Sequence, residues 1–172
     1  MVYLQPVTAD LIHIYIETGL TSYKQHYLHL WKNQDPNPYI SKSFTSEVLK
    51  EELADDNVEN FLVKADDKII GVVKLIKDKA LDEYEAHSTL LIQKIYLLQE
   101  YSGMGYGQEL ISLLETHAKK LGKRVIWLDT MQKGDALRFY LRNGFIIHRE
   151  SLLELPHAIE DERPMWILAK RI

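Results

Sequence analysis

The stretch IYLLQEYSGMGYGQELI, residues 95–111, decides the fold. An apolar run ends at Leu98, glycines follow at positions 103, 105 and 107, and a helical apolar period opens behind them. Alternate glycines carry no Cβ and let successive backbone N–H groups turn toward one point. At the positive end of a helix dipole, such unpaired N–H groups form an anion site suited to a phosphate. A tight strand-to-helix turn without a ligand is the other reading of the same glycines.

Upstream of this loop, His87–Leu98 is a long strand with LLIQKIYLL at its centre. Before it, Phe61–Ala65, a turn at Asp66–Lys68 and Ile69–Ile76 form a hairpin pattern, and Asp78–Glu85 is a polar connection. Downstream, Leu110, Ile111, Leu113, Leu114, Ala118 and Leu121 keep a helical period that Gly122 stops. Val125–Asp129 reads as a short buried strand. Asp135 is placed to cap a helix over Ala136–Asn143, which Gly144 closes, and Phe145–His148 and Met165–Ala169 are the last strands. At the other end, Val2–Pro6 is a strand and Thr8 is placed to cap a helix through Leu11, Ile12, Tyr15 and Ile16. Tyr23, Tyr27, Leu30 and Trp31 continue its stripe, NQDPNPYI (33–40) is loop, and Ser46–Leu53 is a short helix. The order β-α-α-α-β-β-β-α-β-α-β-β predicts an α/β fold: a central mixed sheet with helices on both faces and one parallel pair across a right-handed crossover.

Composition narrows the function. At ~100–200 residues per domain, the 172 residues predict a single domain over 1–172. The absence of cysteine excludes thiolate catalysis, Cys-ligated metal and disulfides. A net charge of −4, from 21 basic and 25 acidic residues, argues against a nucleic-acid partner and for a cationic or small-molecule one. No apolar run reaches ~18 residues and the start lacks a leader pattern, so no membrane association and a cytoplasmic location are expected. The seven histidines show no metal-ligand spacing beyond the pair His26 and His29, so no metal is expected.

Three glycine-rich phosphate sites compete for the loop. A P-loop needs Gly-Lys-Ser/Thr, and Gly107 is followed by Gln108-Glu109. A dinucleotide fingerprint starting at Gly103 needs a glycine where Gln108 stands, although Asp129 could act as its ribose-binding acid. The third is an acetyl-CoA loop. Leu90–Leu114, with Ile95-Tyr96-Leu97, then SGMGYG, then an amphipathic helix, resembles the acetyl-CoA motif R/Q-x-x-G-x-G/A of the GNAT superfamily of N-acetyltransferases. ALRFYLRNGF, 136–145, resembles the same family's A-x-x-F-Y-x-x-x-G-F signature. The resemblance covers roughly 60–172, the acetyl-CoA-binding core. Residues 1–55 are similar only to the family's variable acceptor-binding part, with bacterial small-amine and polyamine acetyltransferases as the nearest type. Ser102 and Lys133 depart from the pattern, standing where the family usually has Arg or Gln and Asn.

The resemblance implies an enzyme with acetyl-CoA (coenzyme A) as cofactor. Its contacts would be Ile95, Tyr96, Leu97, Ser102, Gly103, Met104, Gly105, Tyr106, Gly107, Gln108, Lys133 and Tyr140. It further implies direct attack of a primary amine, from a small molecule or peptide, on the thioester carbonyl. The N–H of Leu97 would hold the carbonyl oxygen, and Tyr140 would be the catalytic acid that protonates the leaving thiolate. A packed helical tyrosine is the structural alternative for Tyr140. No base is assigned: Leu91 and Gln93 stand where the family often has Glu, and Glu83, Glu85 and His87 lie just upstream, where a solvated loop is the competing fate. Tyr23, Tyr27, Trp31 and Gln93, with Tyr39, are the acceptor-binding residues expected, although Tyr23-Tyr27-Trp31 also has the spacing of a core-facing helix. The family allows a homodimer. The rival readings are a non-catalytic acyl-CoA-binding sensor of the same fold and a nucleotide-binding α/β protein.

Overall fold

The computed structural model describes residues 1–172. Its elements are β1 (Val2–Pro6), α1 (Ile12–Tyr27), α2 (Asn37–Ser43), α3 (Ser46–Ala54), β2 (Val58–Ala65), β3 (Lys68–Ile76), β4 (Thr89–Leu97), α4 (Tyr106–Lys120), β5 (Val125–Met131), α5 (Ala136–Arg142), β6 (Ile146–Leu152) and β7 (Pro164–Arg171). The strands form one sheet in the order β1-β2-β3-β4-β5-β7-β6. Every neighbouring pair is antiparallel except β4 and β5, which the α4 crossover joins in parallel. No helix is long and apolar enough to cross a membrane.

Strand alternation supplies two cores, one on each face of the sheet. Leu62 and Val72 point to the side covered by α1 and α3, where they meet Tyr15, Phe44 and Leu49. Val63, Val73 and Ile92 point to the other side, against Leu110, Leu114 and Ala118 of α4. Leu110 and Leu114 are fully buried, and at roughly 1.5–3 kcal/mol for each such side chain the α4 stripe fixes the helix on the sheet.

Local departures from the sequence expectation have physical causes. Thr8 caps no α-helix: a 3-10 turn over Ala9–Leu11 intervenes, its hydroxyl goes to Asp10, and α1 starts at Ile12. The 33–40 segment is not all loop, because α2 begins at Asn37. Pro38 sits in its first turn, where a missing N–H breaks no helical bond. Asp135 precedes α5 without capping it through its side chain. His87 and Ser88 belong to a 3-10 turn, and the strand begins at Thr89.

Two irregularities shape the site. The parallel pair holds only from Thr89–Leu91 against Val125–Trp127. Beyond Leu91 the strands part, and the β5-facing edge of β4 has no strand partner. On the other edge of β4 the register slips between Lys74↔Lys94 and Leu75↔Ile92, leaving Gln93 as the extra residue of a bulge.

Candidate active site

Two cavities meet at the gap between β4 and β5. The larger, about 680 Å³, lies between the glycine loop, the end of β4 and α5. Gly103 (φ 74°) and Gly105 (φ 86°) hold left-handed backbone that only glycine adopts freely, and Gly105 is the N-cap of α4. Gly107 has a different task. It is already helical, and a Cβ there would stand 3.0 Å from the Phe139 ring, so its smallness lets α5 approach α4. Ser102, Gln108 and Asn143 border this cavity. So do Arg138 and Arg142, one turn apart on α5 and free of carboxylate partners.

The open edge of β4 faces the same space. Leu98 donates its N–H to the Ile70 carbonyl at 2.9 Å. By alternation Tyr96 also bonds toward β3, and the backbone groups of Ile95 and Leu97 point into the gap. His26 Nε2 lies 3.0 Å from the Leu97 carbonyl, which only accepts, so this nitrogen carries the proton. Gln25 accepts the Gln99 N–H at 2.8 Å. The end of α1 therefore ties down the end of β4 and leaves the Leu97 N–H free.

The second cavity, about 380 Å³, shares Tyr27, Ile95, Tyr96 and Tyr140 with the first. Its aromatic wall is cross-braced: Tyr23 stacks on Tyr39 at 4.4 Å, and the Tyr39 and Tyr96 hydroxyls lie 2.7 Å apart. Burial pushes the Tyr23, Tyr39 and Tyr96 phenols above their ordinary value, so all are protonated at neutral pH. Tyr140 is 8% exposed, packed edge-on against Phe139 and Phe145. Burial first, then Tyr27 and Asp129, raise its pKa. Its hydroxyl has no protein partner, and no side-chain polar atom in the structure is sealed in without one, so this hydroxyl opens onto cavity space. Asp129 on β5 lines the second cavity. Its carboxylate is open to the cavity but walled in by protein, and burial raises its pKa above the usual carboxylate value.

Several sequence-derived positions fall elsewhere. Trp31 is 1% exposed and donates to the Tyr23 hydroxyl at 3.0 Å, which makes it a core prop behind the aromatic wall. Met104 projects to solvent, and Tyr106 packs against Tyr101. Lys133 turns away from the larger cavity to Glu162 at 3.5 Å. Glu83, Glu85 and His87 are exposed and border neither cavity. Asp82, Glu83 and His148 cluster, but Asp82 is bonded to Arg149 (2.7 Å) and His148 (2.9 Å). Gln93 does line the second cavity. The aim of Asp129 and the presence of His26, Arg138, Arg142 and Lys94 at the cavities were not anticipated. The i, i+4 spacing of Arg138 and Arg142 was the one available signal.

Residues 24–145 match the family model described as the acetyltransferase (GNAT) family. An uncharacterised N-acetyltransferase from the pepI 3′ region of Lactobacillus delbrueckii subsp. lactis is 25% identical over 139 residues, 80% of this chain and 78% of that protein. Among solved structures, the PaiA N-acetyltransferase of Thermoplasma acidophilum in complex with coenzyme A superposes with a TM-score of 0.77 at 18% identity, over 100% of this chain and 99% of that one. A chimera of the Vibrio cholerae spermidine N-acetyltransferase SpeG with hSSAT gives 0.73 at 17% identity, over 99% and 95%.

Proposed function

Because the chain belongs to the GNAT acetyltransferase family, we propose that it carries acetyl from acetyl-CoA to a primary amine of a small molecule or peptide, with Tyr140 at the reaction centre. The observation that carries this reading is the shared wall: Tyr140 borders both cavities, which on this reading take the cofactor and the amine. Backbone N–H groups at Gly103 and Gly105, the dipole of α4, and the unpaired Arg138 and Arg142 fit a pyrophosphate. The open β4 edge at Ile95 and Leu97 fits the amide groups of a pantetheine arm. The coenzyme A complex of the Thermoplasma neighbour supports the assignment. Residues 60–172 then form the cofactor core of one domain, and residues 1–55 lend Tyr23, Tyr27 and Tyr39 to the acceptor wall.

Bound acetyl-CoA supplies a reactive thioester carbonyl. The free Leu97 N–H is a pre-set donor for an oxygen that gains negative charge. Asp129 takes the proton that an acceptor ammonium must lose, directly or through water. Although the residue is exposed to the cavity, the protein around it raises its pKa, and a raised pKa makes the carboxylate a stronger base than an unperturbed one. Tyr140, kept protonated by burial, donates to the departing sulfur. A spermidine N-acetyltransferase among the structural neighbours supports a small amine as acceptor. A thiol-release assay across a panel of primary amines tests the reading. Amine-dependent release of CoA is expected. Tight CoA binding with no release for any amine would turn the protein into a sensor.

A further inference from the structure

The walls of the acceptor cavity carry opposite charges. Asp129 on β5 and Glu154, just past β6, border one side. Lys42 on α2, Lys74 on β3 and Lys94 on β4 border the other. The lysine side is not neutralised from within. Lys74 and Lys94 are direct cross-strand partners, an arrangement that repels, and only one acid, Glu52, reaches them. Glu52 is paired with Lys74 and also accepts from Asn60 at 2.9 Å. Lys94 is 3% exposed, yet it has no carboxylate within ion-pair distance. It makes one hydrogen bond, to the Ser43 carbonyl at 3.0 Å, and sits 4.6 Å over the Phe44 ring. An ammonium has three N–H donors, and a buried cation without a counter-charge is costly. Lys42 is exposed and likewise unpaired.

The bulge explains how the lysine comes to be there. Ile92 packs beneath α4, and the period of two would place Lys94 beside it. The extra residue at Gln93 turns Lys94 to the opposite side, under Ser43 and Phe44 of the acceptor wall. We propose that Lys94, with Lys42, forms an anion subsite, so that the acceptor is an amine that also carries a carboxylate. This rests on the transferase reading above. The amine end lies toward Asp129 and Tyr140, and the carboxylate toward Lys94. The net negative charge of the whole chain points to a cationic acceptor, but the cavity is the surface the acceptor meets. A polyamine would place a second cation against unneutralised lysine.

Matched acceptors test the subsite: free amino acids of several sizes, their C-terminal amides, and a diamine lacking the carboxylate. Free acids are expected to exceed their amides in kcat/KM by about tenfold or more, mainly through KM. Lys94→Met should bring the acid-to-amide ratio near one, Lys94→Arg should restore much of it, and Lys42→Met, at an exposed position, should lower it in part. Amides or the diamine performing as well as the acids would overturn the subsite and leave the transferase reading standing. So would a Lys94→Met loss equal for both forms. Thermal stabilisation of the CoA-bound protein by the same compounds reads the subsite without turnover. There, acids must stabilise more than amides, and equal shifts overturn the proposal. Absence of thiol release with every amine, beside a preserved acid preference in binding, would instead fault the transferase reading.

Discussion

The larger cavity, which we propose takes the cofactor, and the smaller one, which we propose takes the acceptor, are built from different materials. The first is backbone: two left-handed glycines, a helix N-terminus and an unpaired strand edge, with two arginines added from α5. The second is side chain: five tyrosines, three lysines and two acids brought together from α1, α2, α5, three strands and the segment after β6. Backbone geometry depends on a few residues close in sequence and leaves a local signature. A side-chain cavity depends on where distant elements cross, and each member keeps an innocent explanation until the fold is known. The contrast teaches that the reaction class can be written in a loop while the acceptor is chosen by residues that no short motif contains.

The comparison can be broken at several points. The largest loss is expected from Asp129→Asn, a roughly 10²–10⁴-fold fall in kcat/KM at neutral pH if Asp129 is the base. In the parent, activity should fall as pH drops through the raised Asp129 pKa, because protonation removes the base; the variant should lose that limb. A pH–rate profile identical in both proteins would return Asp129 to a structural role. A smaller effect, about tenfold or more in coenzyme A affinity, is expected from Gly105→Val. A β-branched residue resists φ 86°, and although no protein atom lies within 4 Å of a Cβ there, the added methyls occupy the approach to the loop. Titration calorimetry with coenzyme A checks this, and equal affinity would move the pyrophosphate elsewhere.

The smallest effect concerns stability. Burial lowers the Lys94 pKa to about 8 from 10.5. Between those values the unfolded chain keeps a proton that the folded chain has released, so the parent gains stability as pH rises through that window. At pH 7 both states are charged and the burial cost is fully present. Lys94→Met should then be more stable than the parent by about 1–3 kcal/mol, with the difference shrinking toward pH 10.5. Urea denaturation at pH 7 and pH 10 measures it. A variant less stable than the parent at both would show that Lys94 is there to hold α2.

Much of the fold was legible because its signals are local. The hairpin at Asp66–Lys68, the α4 stripe and the glycine stops at Gly122 and Gly144 all depend on neighbours in sequence. The resemblance of 95–111 and 136–145 to one family pointed to segments that the fold brings to the larger cavity. The bulge at Gln93 was not legible, because an extra residue in a strand leaves the sequence alternating as plausibly one way as the other. Lys94 therefore carried no signal of its own within the apolar strand. Asp129 read as a ribose-binding acid, because the parting of β4 and β5 that opens a space before it is a property of two strands and a crossover. Trp31 shared its helical spacing with the cavity tyrosines, and only tertiary packing separated the prop from the wall.

The central claim is that Tyr140 delivers a proton at the junction of the two cavities. Tyr140→Phe removes one oxygen and keeps the ring that packs on Phe139 and Phe145. The direct measurement is kcat for the best amine beside coenzyme A affinity and melting temperature in the same variant. The account predicts a ~10²–10⁴-fold fall in kcat, with kcat/KM falling in parallel. Affinity and melting temperature should move little, since the hydroxyl has no protein partner to lose. A variant that keeps its kcat would contradict the account, whatever its stability.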